Sequence, residues 1–359
     1  MDAMPPPDAL VGRLFAAGVG ALDLLAVYLG DRLGYYRALA EGGPATSAEL
    51  AERTGTAERY AREWLEQQAA SAILSCANPE AEPGERRFAL PPGYAAVLVD
   101  PESLTTMAPL PQMVVGSVRP LPALLEAYRT GGGVPFADYG EDLHEGQARF
   151  TRPLFVHQLA QEWLPLMPEV HARLGQPGAR VADVGMGQGY SSIAFAKGYP
   201  GLRVDGFDLD EASVAAARQN AAAAGVADRV RFEVRDAGDP GLAGRYDLAF
   251  AFECVHDMSD PVAVLAAMRR LVGAGGTALV ADEKVADAFA PPVGDMERFM
   301  YGFSVLHCLP VGMVEQPSAG TGTVMRRPTF ARYALDAGFR TVDELPVEND
   351  FYRFYRLTA

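Results

Sequence analysis

The chemistry-bearing residues gather in two stretches. The first, "VADVGMGQGY" (181–190), places Gly185, Gly187 and Gly189 at every second position behind Asp183 and an apolar run. Missing side chains where a strand turns into a helix let a ligand reach the backbone, and the first helical N–H groups are free to meet it. Asp208 follows Gly185 by 23 positions, at the end of the next apolar run, where a carboxylate can hold both hydroxyls of a ribose. A dinucleotide fingerprint asks for G-x-G-x-x-G. Here Tyr190 stands where the last glycine of that pattern belongs. The second stretch, "ECVHDMSDP" (253–261), holds His256 and Asp257, and "FMYGFSVLHCLPVGM" (299–313) adds His307 and Cys308. An imidazole can take a proton near neutral pH. Cys308 lacks an activating pattern and reads as packing. Asp138, Glu141, Asp142 and His144 fit no standard metal spacing, so no metal is expected.

The elements that must position these residues follow from periodicity. From about residue 176, strands at "RVADVG", "RVDGFD", "RVRFEV", "YDLAFAF" and "TALVAD" alternate with helical runs such as "EASVAAARQNAAAAG" and "DPVAVLAAMRRLVG". The latter has Asp260 as N-cap, Pro261 in the first turn and Gly273 at its end. Such alternation predicts a mostly parallel sheet covered on both faces. "TVDELPV" and "DFYRFYRL" predict a terminal hairpin that sets an antiparallel strand in it. Earlier, residues 8–40 read as helical with dense apolar positions, Thr46 and Glu49 as a capping box, and 56–76 as an amphipathic helix with Tyr60, Trp64, Ala70 and Ile73 near one face. A turn-rich hairpin, "NPEAEPGERRFAL", comes next. Helices followed by a hairpin predict a winged-helix domain over 1–100, then a helical connector over 101–175 and an α/β domain over 176–359.

The ordered set of Asp183-x-Gly185-x-Gly187-x-Gly189, Asp208, Asp236 and a reversed terminal hairpin resembles the class I S-adenosylmethionine-dependent methyltransferases, over the last half of the chain. The resemblance implies a Rossmann-like, seven-stranded sheet. It implies that Asp183 and the three glycines cradle the methionine part of the cofactor, that Asp208 binds the ribose, and that Asp236 with Ala237 meets the adenine. Leu209 would flank the adenine and Glu253 would stand beside the cofactor. "VHDMSD" resembles the "HDWSD" stretch of small-molecule O-methyltransferases that carry a winged-helix dimerisation domain. That match makes His256 the general base, with Asp257 or Glu283 fixing its tautomer, Glu297 as a further orienting acid and His307 as the other base candidate. Met258 replaces the tryptophan of that stretch. The aromatic segment 299–313 is expected to wall a substrate pocket, and Tyr139 could touch the cofactor.

Composition limits the partners. The net charge is −15 with a hydrophobic fraction of 49%, which disfavours nucleic acid and anionic membrane and favours a small-molecule acceptor. Residues 1–100 carry eight arginines, no lysine and fourteen acids, and the candidate recognition helix has three glutamates against two arginines. A regulator that reads DNA with this helix is the alternative, and the charge argues against it. An N- or C-methyltransferase working by proximity, or a cofactor-binding scaffold without turnover, are further alternatives. Three distant cysteines and an acidic, proline-rich start fit a cytoplasmic protein. The apolar stretch 10–30 contains Arg13 and Asp23, which favours a helix buried in a homodimer over a membrane span.

Overall fold

A computed structural model describes residues 6–242 and 244–359. The chain divides into two compact units, residues 1–115 and 116–359.

In the first unit, helix α1 (Pro7–Arg32) is followed by α2 (Tyr35–Gly42), α3 (Ser47–Thr54) and α4 (Glu58–Ala70). The stretch 8–40 is helical as expected, with a turn at Gly34, whose left-handed φ of 72° ends one helix and starts the next. The capping box at α3 forms as the sequence predicts, with Thr46 Oγ1 accepting from Glu49 N–H at 3.3 Å and Glu49 Oε2 accepting from Thr46 N–H at 2.9 Å. Strands Ser75–Cys76 and Phe88–Ala89 pair antiparallel as a minimal wing. The buried face of α4 differs from the expected one. Ala61, Trp64, Leu65 and Gln68 face the core, while Tyr60 is 78% exposed and Ala70 is exposed. The core that α4 meets is built from Tyr35, Tyr36, Leu39 and Leu50, and it selects the stripe one residue further round the helix.

Only the C-terminal half of α1 is docked. Trp64 Nε1 donates to the Ala26 carbonyl at 2.8 Å, and Gln67 Nε2 and Ser71 Oγ both donate to Asp23 Oδ1, at 2.8 and 2.6 Å. Leu10, Val11, Leu14, Phe15 and Leu22 remain exposed. By length and composition α1 could cross a membrane, with a mean hydropathy of 1.8 over its most apolar window.

The second unit is built on a seven-stranded sheet: β1 (Arg180–Val184), β2 (Arg203–Asp208), β3 (Val230–Val234), β4 (Leu248–Phe252), β5 (Thr277–Glu283), β6 (Thr341–Glu344) and β7 (Tyr352–Thr358). Their spatial order is 3-2-1-4-5-7-6. The first five strands run parallel, and β7 lies antiparallel between β5 and β6. The predicted strands and terminal hairpin are all present. β4 and β5 are buried at every position, as strands with helices on both faces must be. Two apolar clusters, one on each side of the sheet, contain Phe195, Phe250 and Trp163 on one face and Leu265, Met268 and Phe330 on the other. The reversal of strand order falls between β1 and β4, where ligands gather in open α/β sheets.

Gly30 fixes how closely α1 approaches α4. A Cβ there would stand 2.3 Å from a ring carbon of Trp64. Gly30→Ala is expected to destabilise the protein by about 1–3 kcal/mol through overpacking, read as a lowered urea midpoint of the full chain. An unchanged midpoint would show that the two helices are free to part.

Candidate functional site

The end of β1 is tied to the helix that follows it. Asp183 is 1% exposed, and its Oδ2 accepts from both Ser191 and Ser192 hydroxyls at 2.6 Å. Burial raises its pKa to about 6, against the pull of those two hydrogen bonds. The loop between them carries three glycines with positive φ: 64° at Gly185, 51° at Gly187 and 80° at Gly189. They serve different ends. A Cβ on Gly185 would collide with Cys254 Sγ at 2.7 Å, and one on Gly189 with Phe232 and Ala217 at 2.7 and 2.9 Å. A Cβ on Gly187 would meet nothing within 4 Å. Gly189 therefore serves packing and caps the helix Tyr190–Gly198, whereas Gly187 borders open space.

That space is a cavity of about 730 Å³ at the carboxyl ends of β1, β2 and β4. Asp208 lines it and clamps the loop, its Oδ2 accepting from Gly187 N–H at 2.8 Å and its Oδ1 from Asp210 N–H at 2.9 Å. Burial raises the Asp208 pKa, and these backbone donors oppose the shift. Leu209, 62% exposed, also borders the cavity. Asp236 and Ala237 form the wall past β3, and Asp236 Oδ1 accepts from Gly238 N–H at 2.8 Å. Asp183, Gly185, Gly187, Asp208, Leu209, Asp236, Ala237 and Glu253 are thus brought to one cavity. Of the cofactor residues expected from sequence, only Gly189 stands off its wall.

The turn after β4 packs directly on the glycine loop through Cys254 and Met258. Glu253, in a left-handed conformation with φ 55°, accepts from the Tyr352 hydroxyl at 3.1 Å. A non-glycine residue held there stores strain, a mark of functional sites. Glu253 and Asp257 line the cavity, and burial raises each pKa to about 7 with His256 opposing the shift. His256 does not line it. The imidazole is 2% exposed and turned toward the end of β5, with Nδ1 at 2.5 Å from Asp282 Oδ1 and 2.8 Å from Glu283 Oε2. Burial works against a charged ring, yet the Glu283 and Asp282 carboxylates outweigh it and hold the His256 pKa well above its ordinary value. Burial likewise drives Glu283 far up, while His256 and its hydrogen bonds keep Asp282 below the usual range. The ligand atoms of His256, Asp282 and Glu283 lie within 4.8 Å of one another, the only such cluster among the described residues.

The other expected site residues lie elsewhere. His307 is 1% exposed, packed edge-on to Tyr139, with Nδ1 at 3.3 Å from Cys308 Sγ. Burial lowers its pKa to about 3. Tyr139 is fully buried and donates to the Leu306 carbonyl, away from the cavity. Glu297 pairs with Arg326 at 2.8 Å and does not reach His256. The aromatics of 299–313 pack on Phe289 and Phe351, and of that segment only Val311 reaches the wall. The sequence reading missed the opposite wall. His144, Gln147, Ala148 and Thr151 on the helix Gly140–Leu154 close the cavity, with His144 stacked on Phe136 at 4.1 Å. A recurring i, i+3, i+4, i+7 set of small or polar residues was the available signal.

Residues 176–315 match the family described as a methyltransferase domain, and residues 20–100 match the Rv2258c-like winged HTH domain. The ubiquinone biosynthesis O-methyltransferase of Pseudomonas aeruginosa (strain UCBPP-PA14) is 34% identical over 107 residues, 30% of this chain and 45% of that protein. The 27-O-demethylrifamycin SV methyltransferase of Amycolatopsis mediterranei (strain S699) is 32% identical over 164 residues, 45% of this chain and 58% of that protein. The chain thus spans about half the length of the curated relatives it matches. In fold it is similar to human N-acetylserotonin methyltransferase, solved with S-adenosylmethionine, with a TM-score of 0.69 at 18% identity over 100% of this chain and 99% of that one. The residues present fit that cofactor: an open backbone loop at Gly187, a carboxylate beside it at Asp208, and a wall formed past β3 by Asp236 and Ala237.

The glycines should separate on substitution. Gly187→Ala carries a left-handed backbone cost of about 1–2 kcal/mol and projects a methyl into the cavity. It should weaken S-adenosylhomocysteine binding in calorimetry while the protein stays folded. Gly189→Ala adds a clash with Phe232 and should lower thermal stability further. Equal effects of both on affinity and stability would contradict the division.

Proposed function

We propose that this chain, which carries a methyltransferase domain and a winged HTH domain before it, transfers a methyl group from S-adenosylmethionine to a hydroxyl oxygen of a small molecule. The observation that carries the reading is the Gly187–Asp208 arrangement at the mouth of a 730 Å³ cavity. When bound, the cofactor supplies an electrophilic methyl on a sulfonium. The chain's part is to hold it at the β1–β4 crevice, to shield it with the helix Gly140–Leu154, and to present a proton acceptor from the turn after β4. The cavity wall is mixed, with Phe136, Phe155, Met258 and Val311 beside Glu253 and Asp257, and suits an acceptor with an apolar body and a polar edge.

The charge of the winged-helix unit supports a small-molecule role over DNA reading. On α4, Arg59 is paired with Glu63 at 2.5 Å and Arg62 lies 3.5 Å from Glu58. Each arginine thus has a glutamate one turn away, which lowers the positive field this helix could offer a phosphate backbone.

We also read the exposed apolar half of α1 as a homodimer face. Asp23 and Ala26 bind one face of α1 to α4 of the same unit, while Leu10, Leu14, Phe15 and Leu22 on the rest of the helix stay exposed. A second copy would supply the same apolar stripe. Light scattering should give twice the chain mass for the wild type and a single chain mass for Phe15→Glu. A monomeric wild type, or flotation of the full chain with vesicles that Phe15→Glu abolishes, would reject the dimer.

For the cofactor, calorimetry with S-adenosylhomocysteine should show binding that Asp208→Ala severely weakens. Binding of NAD with no response to S-adenosylhomocysteine would sink the reading.

A further inference from the structure

We propose that His144 is a further cofactor-holding residue: with Asp210 it forms a bridge that closes the helix Gly140–Leu154 over the Asp208 end of the cavity. The proposal rests on the S-adenosylmethionine reading and is independent of the acceptor. Four residues of that helix line the cavity, His144, Gln147, Ala148 and Thr151. Thr151 turns back to the Gln147 carbonyl at 3.1 Å, whereas His144 reaches across to another element. Its ring lies flat on Phe136, with centroids 4.1 Å apart and planes 7° from parallel, and its Nε2 stands 3.0 Å from the Phe136 carbonyl oxygen. A carbonyl only accepts, so Nε2 carries a hydrogen and Nδ1 is the nitrogen left for another partner. Nδ1 stands 3.8 Å from Asp210 Oδ2.

Asp210 ties that nitrogen to the cofactor loop. Two residues past Asp208, its side chain caps the helix Glu211–Ala223, with Oδ2 accepting from Ser213 N–H at 2.7 Å. A carboxylate oxygen has room for a second donor beside the cap. The Asp210 backbone N–H donates to Asp208 Oδ1 at 2.9 Å, and Asp208 Oδ2 accepts from Gly187 N–H at 2.8 Å. Asp210 and Ser213 line the cavity, as His144 does. One line of contacts, His144 to Asp210 to Asp208 to Gly187, thus runs from the wall helix across the cavity to the glycine loop. The paired side chains are only 8% and 12% exposed, a setting in which an ion-paired hydrogen bond holds more firmly than at an open surface.

The helix is built to tilt. Gly140 opens it from a left-handed φ of 71°, and Pro153 sits in its last turn, where a ring replaces the N–H that would bond one turn back. Past Leu154 the chain continues as a wider π-type helix over Phe155–Trp163. Each end departs from the straight α-helical ladder, and closing motions are absorbed at such element ends. The platform under His144 is fixed by contrast. Val134 N–H donates to the Pro310 carbonyl at 3.0 Å and the Tyr139 hydroxyl to the Leu306 carbonyl at 2.9 Å, on either side of Phe136. A separation of 3.8 Å lies just beyond hydrogen-bond length, so an inward tilt of about 1 Å makes the bond. Strands β2 and β4 flank β1 on opposite sides. A bridge beside β2 therefore stands away from the turn after β4, and it retains the cofactor with no part in choosing the acceptor.

The test uses the full chain and radiolabelled S-adenosylhomocysteine, its release timed by a chase of unlabelled ligand. His144→Phe keeps the flat stack on Phe136 and removes both nitrogens. Asp210→Ser keeps a capping hydroxyl and withdraws the carboxylate. Each should speed release about tenfold and change association by less than about two-fold, and the double variant should release no faster than the faster single one, because the same bond is lost in all three. Bound S-adenosylhomocysteine should slow amide hydrogen exchange across residues 140–154 in the wild type, and do so less in either variant. Where Asp210→Ser proves unstable, Asp210→Asn, which keeps the cap and removes the charge, must shift release in the same direction. Release at the wild-type rate from folded His144→Phe and Asp210→Ser would overturn the bridge. So would additive effects in the double variant, which would make the two side chains independent. A wild type that binds no S-adenosylhomocysteine removes the cofactor reading itself, so the two failures are distinct.

Discussion

One buried carboxylate holds the site in shape. Asp183 sits at the end of β1 with 1% exposure and takes two serine hydroxyls from the next helix on a single oxygen. Keeping it ionised in that setting is costly. A pKa of about 6 in the fold, against about 3.9 in an unfolded chain, means the native state holds its proton more tightly. The sign follows from linkage: the group's contribution to stability is greatest at low pH and declines as pH rises between those two values. At neutral pH the carboxylate therefore disfavours folding, on the order of 3 kcal/mol, and the gain is geometric. It ties β1 to the helix that follows, across a loop whose three alternate glycines all have positive φ. Asp208 then completes the loop from the neighbouring strand. The two acids make one frame, one holding the loop's outer end and the other its crest.

The turn after β4 repeats this logic with opposite consequences. A buried cluster at the end of β5 captures His256, and by capturing it the cluster turns the next residue outward. What the cavity receives is a pair of acids, Glu253 and Asp257, in surroundings that bring both close to neutrality. His256 lies between the two acids at the end of β5, and its neighbour Asp257 lines the cavity.

Much of the fold was legible in the chain. Alternation of apolar strands with capped helices is a local property, so all seven strands, the Thr46–Glu49 box and the Asp260 cap formed as read. The glycine loop and its acids were legible for the same reason, since their spacing encodes a strand, a turn and a helix. What escaped depended on contacts between distant segments. Nothing near Gly189 indicates that Phe232 would press on it. The aromatics at 299–313 looked like a pocket wall because apolar residues in a connecting segment need a partner, and the partners proved to be Phe289 and Phe351. Tyr60 and Ala61 differ by one step on a helix whose buried stripe is set by Tyr35 and Tyr36.

The position of β7 adds a temporal constraint. Tyr352 opens the final strand, and its hydroxyl braces Glu253 on the cavity wall. That strand lies between β5 and the edge strand β6, and β6 pairs only with it, so β6 reaches the sheet only through β7. On a ribosome, every other wall of the cavity can be in place while the Glu253 brace is still unmade. A chain stopped short of Tyr352 would hold a glycine loop without its finished acid wall.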